Sequence, residues 1–136
     1  MKLGLDTSVV LRLLIGLPAD HAVIARQRLE QAHADGDQVI VIDTVVAEAY
    51  HALVHHYKIE KSQARALLHR MVTSGTVLPD PAELVTALEP AQGAGVVDRL
   101  ILHRHRSLQA STITFDRALG AAGAVRLATD APGTLP

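Results

Sequence analysis

Four carboxylates offer the most chemistry in this chain: Asp6, Glu48, Asp98 and Asp116. Oxygen-only ligands select hard cations, so a set of these acids would suit Mg2+ or Mn2+. Each acid also has an ordinary structural reading. Asp6 follows the apolar run Leu3-Gly4-Leu5 and Asp116 follows Ser111-Thr112-Ile113-Thr114-Phe115. An Asp between strand and helix is a good N-cap, and for either residue alone the cap is as good an explanation as chemistry. Glu48 is different. A capping-box acid stands three residues after its cap, which would be Val46 counted from Asp43 or Ala47 counted from Thr44. Glu48 misses both, though a solvated acid near a helix start is still favoured by the dipole. Asp98 has Ile101 and Leu102 one turn on, so it borders an apolar face where a carboxylate needs a cation, whether a metal or a side chain such as Arg99.

These acids must be positioned by the elements around them, and the chain alternates strand and helix signals throughout. Leu3 to Leu5 reads as a strand, and Val9 to Ile15 as a helix capped by Asp6, Thr7 or Ser8. Asp20 can cap a helix to about Ala34, with Val23, Ile24 and Leu29 as its apolar positions. Val39 to Ile42 is a run of β-branched residues and predicts a buried strand. Asp43 and Thr44 then start a helix from Val45 to about His56, and Lys61 to Thr73 is another. Thr76 to Leu78 reads as a strand, Pro79 and Pro81 open a loop or short helix, and Val96 to about Ser107 is a helix. Ser111 to Phe115 is a strand, Asp116 caps a turn of helix ending at Gly120, and Val125 to Leu127 is the last strand. The order predicts a three-layer α/β/α sandwich with a mostly parallel central sheet. Asp6 and Asp116 would then lie beyond the carboxyl ends of strands, where sites of open parallel sheets form.

The bulk properties agree. A chain of 136 residues fits one domain, read as residues 1–130 with a flexible tail at 131–136. Hydrophobic residues make up 49%, yet Tyr50, Tyr57 and Phe115 are the only aromatics, so the core must be aliphatic. There is no cysteine, which excludes disulfides and thiolate metal sites. Lys2 and the apolar residues after it faintly imitate a secretion signal, but Asp6 and Arg12 interrupt the run. No stretch reaches the length of a membrane span, and a cytoplasmic location is the default expectation. The formal net charge of −1 gives no general support for binding nucleic acid, so any such case rests on local clusters.

Together the acids and their flanks resemble a known pattern. Leu5-Asp6-Thr7-Ser8-Val9-Val10-Leu11 resembles the opening motif of PIN domains, and Val45-Val46-Ala47-Glu48 resembles the second. Val96-Val97-Asp98-Arg99-Leu100-Ile101 resembles the third, and Thr112-Ile113-Thr114-Phe115-Asp116-Arg117 the fourth. The likeness runs from residue 3 to about 128 and is closest to the VapC-type toxins of toxin–antitoxin pairs. It implies a PIN-like fold and an endoribonuclease that hydrolyses RNA phosphodiesters with Mg2+ or Mn2+. In that reading Asp6, with Asp98 or Asp116, holds metal directly, and Glu48 adds a ligand or orients a water. Thr114 and Ser8 would hydrogen-bond ligands or the scissile phosphate, and Arg12 and Arg117 are the candidate phosphate contacts beside the acids. A homodimer and a small antitoxin partner are also implied, and Val10, Leu14 and Leu17 could form either surface or serve as ordinary core.

Two basic rows stand at helical spacing: Lys58, Lys61, Arg65 and His69, then Arg99, His103 and Arg106. Either could grip phosphates, although a solvated face or a dimer rim explains each row somewhat better. Glu48, His51 and His55 share a helix face without a metalloprotease motif, so partner contact or solvent is favoured over zinc. Two other functions compete. A phosphatase using Asp6 as nucleophile would want a second acid two residues on, where Ser8 stands. A catalytically inactive PIN-like module binding RNA or protein needs no acids, whereas all four are present.

Overall fold

The computed structural model describes residues 1–128, so the tail expected at 131–136 lies outside the described residues. Three strands, β1 (Lys2–Gly4), β2 (Gln38–Ile42) and β3 (Leu78–Asp80), form a parallel sheet in the order β1–β2–β3. Leu3 stands opposite Val39, and Val41 opposite Pro79. The β-branched run of β2 sits at the centre, with Val39 and Val41 buried. β3 starts two residues later than the apolar pattern suggests. The Ser74 hydroxyl donates to Met71 O at 2.7 Å and accepts from the Thr76 N–H at 3.2 Å, a turn that holds this stretch out of the ladder. Among the described residues β3 is the edge strand of this sheet, the position at which a proline such as Pro79 is tolerated.

Two further strands, β4 (Ile113–Thr114) and β5 (Val125–Arg126), pair in parallel with each other, in a ladder separate from the first sheet. The parallel α/β architecture is therefore present as expected, with its strands divided between two ladders rather than gathered in one sheet.

The helices follow local signals. α1 (Thr7–Ile15) starts on the Asp6 cap and ends on Gly16, whose left-handed φ of 77° lets its N–H reach Arg12 O. α2 (Ala19–Ala34) starts one residue before Asp20, which lies in its first turn rather than at its cap. Val23 and Ile24, two of the apolar positions read from the sequence, are exposed; Ala22 and Ala32 are the residues that α2 buries. α3 (Asp43–His51) begins directly on Asp43, with no side-chain cap bond, and passes into a π-helical turn, Ala52–His56. The Tyr57 N–H closes that turn on Ala52 O, and Lys58 follows at a left-handed φ of 57°. Lys58 thus precedes α4 (Lys61–Thr73) instead of joining its basic row. A short α5 (Leu84–Ala87) leads to α6 (Val96–Ser107), and α7 (Arg117–Ala121) separates β4 from β5.

One aliphatic core unites β1 and β2 with α1 to α6. Val10, Val46, Leu53, Leu68, Leu84 and Leu88 are fully buried in it. A second, small cluster of Ala94, Leu102 and Leu119 attaches the C-terminal elements to α6. Among the described residues no single helix is long and apolar enough to cross a membrane.

Candidate active site

Asp6 lies two residues beyond the end of β1, where the chain turns into α1. Its Oδ1 accepts the Thr7 N–H at 2.6 Å, and its Oδ2 accepts the Ser8 hydroxyl at 3.3 Å. Asp6 is therefore the cap that its position predicts, and it remains exposed. The Thr7 hydroxyl reaches across to α3 and donates to Glu48 Oε1 at 3.1 Å. Thr7 thus ties two acids from separate motifs: its N–H holds Asp6, and its hydroxyl holds Glu48. Glu48 is also exposed, and among the described residues its Oε2 receives no protein hydrogen bond. The sequence does not single out Thr7 beyond its suitability as a cap; only the meeting of α1 with α3 gives its hydroxyl a partner.

Asp98 stands in the first turn of α6, half-buried. Arg99 does not neutralise it. That guanidinium turns to the carbonyls of Ala87, Ala94 and Glu89. Asp98 makes no ion pair or side-chain hydrogen bond among the described residues, and its partial exposure lets water carry the charge. α6 is held to α3 partly by an ion pair between Arg104 Nε and Asp43 Oδ2 at 3.7 Å.

Asp116 caps α7, its Oδ2 accepting the Leu119 N–H at 2.7 Å. Thr114 Oγ1 accepts the Asp116 N–H at 2.9 Å, so Thr114 fixes the backbone that carries this acid. The neighbouring Thr112 is buried, and its hydroxyl pairs with His105 Nδ1 at 2.8 Å. Arg117 is exposed at the start of α7. Arg12 is half-buried one turn beyond Ser8, and its Nη1 donates to Ser8 O at 3.4 Å.

The donor chemistry suits a hard cation, because every acid offers carboxylate oxygen alone. The arrangement is less complete. Among the described residues no three Asp, Glu or His side chains lie close enough together to hold one metal ion. Asp6 and Glu48 are linked; Asp98 and Asp116 stand on α6 and α7 without joining them in such a group. The same holds for Glu48, His51 and His55, although the two imidazole rings lie 4.4 Å apart between centroids.

Parallel strands in an α/β frame, with paired acids where β1 passes into its helix, define a class of enzyme-like folds whose sites lie at the carboxyl ends of strands. Within that class the assignment is specific: residues 4–124 match the PIN domain, and the chain belongs to the PIN-domain family. No curated protein and no solved structure matches it. PIN domains are generally nucleases, so a nuclease role follows from membership at that general level.

Proposed function

We propose that this chain is an endoribonuclease that hydrolyses RNA phosphodiesters, with Asp6 and Glu48 at the heart of its site. One observation carries the reading. Two acids from motifs far apart in sequence are drawn to one residue, Thr7, just beyond the end of β1. Hydrolysis needs an attacking water to lose a proton, and an exposed carboxylate with an uncommitted oxygen can accept it. Glu48 has that oxygen, while each Asp6 oxygen takes one donor, from Thr7 or Ser8, and keeps a lone pair for a ligand. Asp98 and Asp116 complete the acid set, with Ser8 and Thr114 as hydrogen-bonding support and Arg12 and Arg117 as phosphate contacts.

Dependence on Mg2+ or Mn2+ belongs to this proposal and is supported by the oxygen-only donors. A toxin role, with a small antitoxin as partner, is supported by the apolar surface beside Asp6. A cavity of about 550 Å3 between β1, α1 and α2 is lined by Leu3, Val9, Ile24 and Leu29, and reaches Ser8 and Arg12. Leu17, Val23 and Ile24 add exposed apolar surface at the same helices, which a protein partner would cover. Val10, by contrast, is wholly buried and available to none.

The test is cleavage of a mixed RNA pool with Mg2+ or Mn2+ by wild type, Asp6→Asn and Glu48→Gln, each freed of any co-purifying protein. Cleavage by wild type alone, with both variants folded, is the expected result. Equal activity in all three would place the chemistry elsewhere. Tight RNA binding without cleavage under any metal would favour an inactive binding module.

A further inference from the structure

Away from the Asp6–Glu48 pair, a cavity of about 330 Å3 opens where α3, α4 and α6 meet the loop before α6. Its polar lining consists of Lys61, Ser62, Arg65, Arg99 and Tyr50, and no acidic side chain lines it. Among the described residues none of the three cations has a carboxylate within 4.0 Å. Cations gathered around one cavity repel each other. Here burial holds the Arg99 guanidinium below its usual pKa, and the Arg65 charge pushes the same way against a smaller opposing effect of Tyr50.

Part of the cluster has a structural duty. Arg65 donates to Leu88 O at 2.9 Å, and Arg99 donates to Ala87, Ala94 and Glu89 carbonyls. These bonds satisfy carbonyls left open at the end of α5 and pin the loop that follows. They do not exhaust the guanidinium forks, since each Arg carries more N–H groups than it spends there. The Lys61 side chain makes no hydrogen bond or ion pair among the described residues. The backbone adds to the same field. Lys61 opens α4 and Gly95 is the N-cap of α6, and neither helix start has a side-chain cap bond. Both starts therefore bring unsatisfied N–H groups and positive dipole ends to the cavity that the cations line.

We infer that this cavity binds a phosphoryl group through Lys61, Arg65 and Arg99, with Ser62 and the N-terminus of α6 as further donors. The source it fits best is a phosphodiester of the RNA strand, a point that rests on the nuclease reading; the alternative source is free phosphate. The cavity is built on α3 and α6, the helices that carry Glu48 and Asp98, but on other faces of them, so a strand would have to pass round these helices to reach both. A bound strand would be gripped by one phosphate here while another lies near the acids.

Two measurements on the full chain test this. Thermal melting would follow inorganic phosphate added against chloride at matched ionic strength. Fluorescence anisotropy would follow a single-stranded RNA oligonucleotide in EDTA, at several salt concentrations. Wild type, Lys61→Gln and Arg65→Gln are compared; the Lys61 side chain has no partner among the described residues, so Lys61→Gln leaves the fold intact. At roughly 20-fold excess over its Kd, phosphate should raise the wild-type Tm by about 5 °C, and most of that gain should vanish in both variants. RNA affinity should fall about threefold to tenfold in each variant, with the salt slope lower by about one. Loss of the phosphate effect with unchanged RNA affinity supports the pocket and assigns it to free phosphate. If phosphate stabilises wild type but RNA neither binds nor is cleaved, the pocket stands and the nuclease reading fails. If RNA binds and is cleaved while both variants match wild type in both measurements, the pocket is overturned and the nuclease reading survives.

Discussion

The three-stranded part of this molecule and its last two strands carry similar aliphatic sequences but bury them very differently. Around β1 to β3 the large side chains Leu53, Leu68, Leu84 and Leu88 are completely enclosed. Around β4 and β5, Ile113 is 67% exposed and Phe115 63% exposed, and the supporting cluster is Ala94, Leu102 and Leu119. The acids follow this division. Asp6 and Glu48 stand on helices anchored in the large core and are joined through Thr7. Asp116 rides on the lightly anchored C-terminal elements and is held by local bonds to Thr114 and Leu119. An acid set assembled on a packed core keeps its geometry because moving it would disturb many contacts at once. One that hangs from a small cluster is positioned only as well as that cluster.

The comparison can be broken most directly by truncation. Leu53→Ala should cost about 3–5 kcal/mol in urea unfolding, because the fully enclosed site cannot collapse around the loss. Leu119→Ala should cost about 2 kcal/mol, at the low end for such a change, because its surroundings are near solvent and can close in. Equal costs would mean that the two regions share one cooperative core.

Chemistry provides the next largest effect. Asp6→Asn should lower RNA cleavage by about 100-fold or more, the range expected of a residue placed for proton transfer or ligand binding. Its Tm should change little, since Asn is as good a cap as Asp. A large fall in Tm with activity intact would show Asp6 to be purely a cap.

Thr7→Val sharpens the contrast between linked and unlinked acids. It keeps the shape of the side chain and removes the hydroxyl that holds Glu48. Cleavage should fall about fivefold to tenfold, corresponding to a lost hydrogen bond of about 1 kcal/mol. No change in cleavage would mean that the link is incidental.

The smallest effect concerns pH. His103 has its pKa lowered from the ordinary value of 6.5, first by burial and then by the Arg106 charge, with Glu83 opposing and Arg99 adding slightly. A lowered pKa in the folded state means that the unfolded chain takes up the proton first. Stability from neutral His103 is therefore present above pH ~6.5 and declines as pH falls from there through the folded-state pKa. His103→Gln should flatten the stability curve in that acidic window. An unchanged slope between pH 7 and pH 5 would remove His103 from the account.

Much of this molecule follows from local sequence. The β-branched run at Val39 to Ile42 forms β2 as expected, although only Val39 and Val41 are buried and Ile42 is exposed, and α6 occupies Val96–Ser107 as its pattern predicts. Asp6 and Asp116 cap helices because a short polar side chain after a strand can bond the next free N–H groups. Four acidic motifs in order were enough to point to the family. Local pattern could not say which acids meet, because the Thr7–Glu48 bond depends on how α1 packs against α3. Nor could it show that two basic rows, each ordinary as a solvated helix face, send Lys61, Arg65 and Arg99 into one cavity. The start of β3 was also hidden, since side-chain bonds at Ser74 and Thr76 outcompeted the apolar run there. Sequence by itself determined the order of most elements and the caps at Asp6 and Asp116, but not those of α2 and α3, because local signals depend on neighbours along the chain. Tertiary structure alone decided which charges share a space, because that depends on helices brought together by burying an aliphatic core.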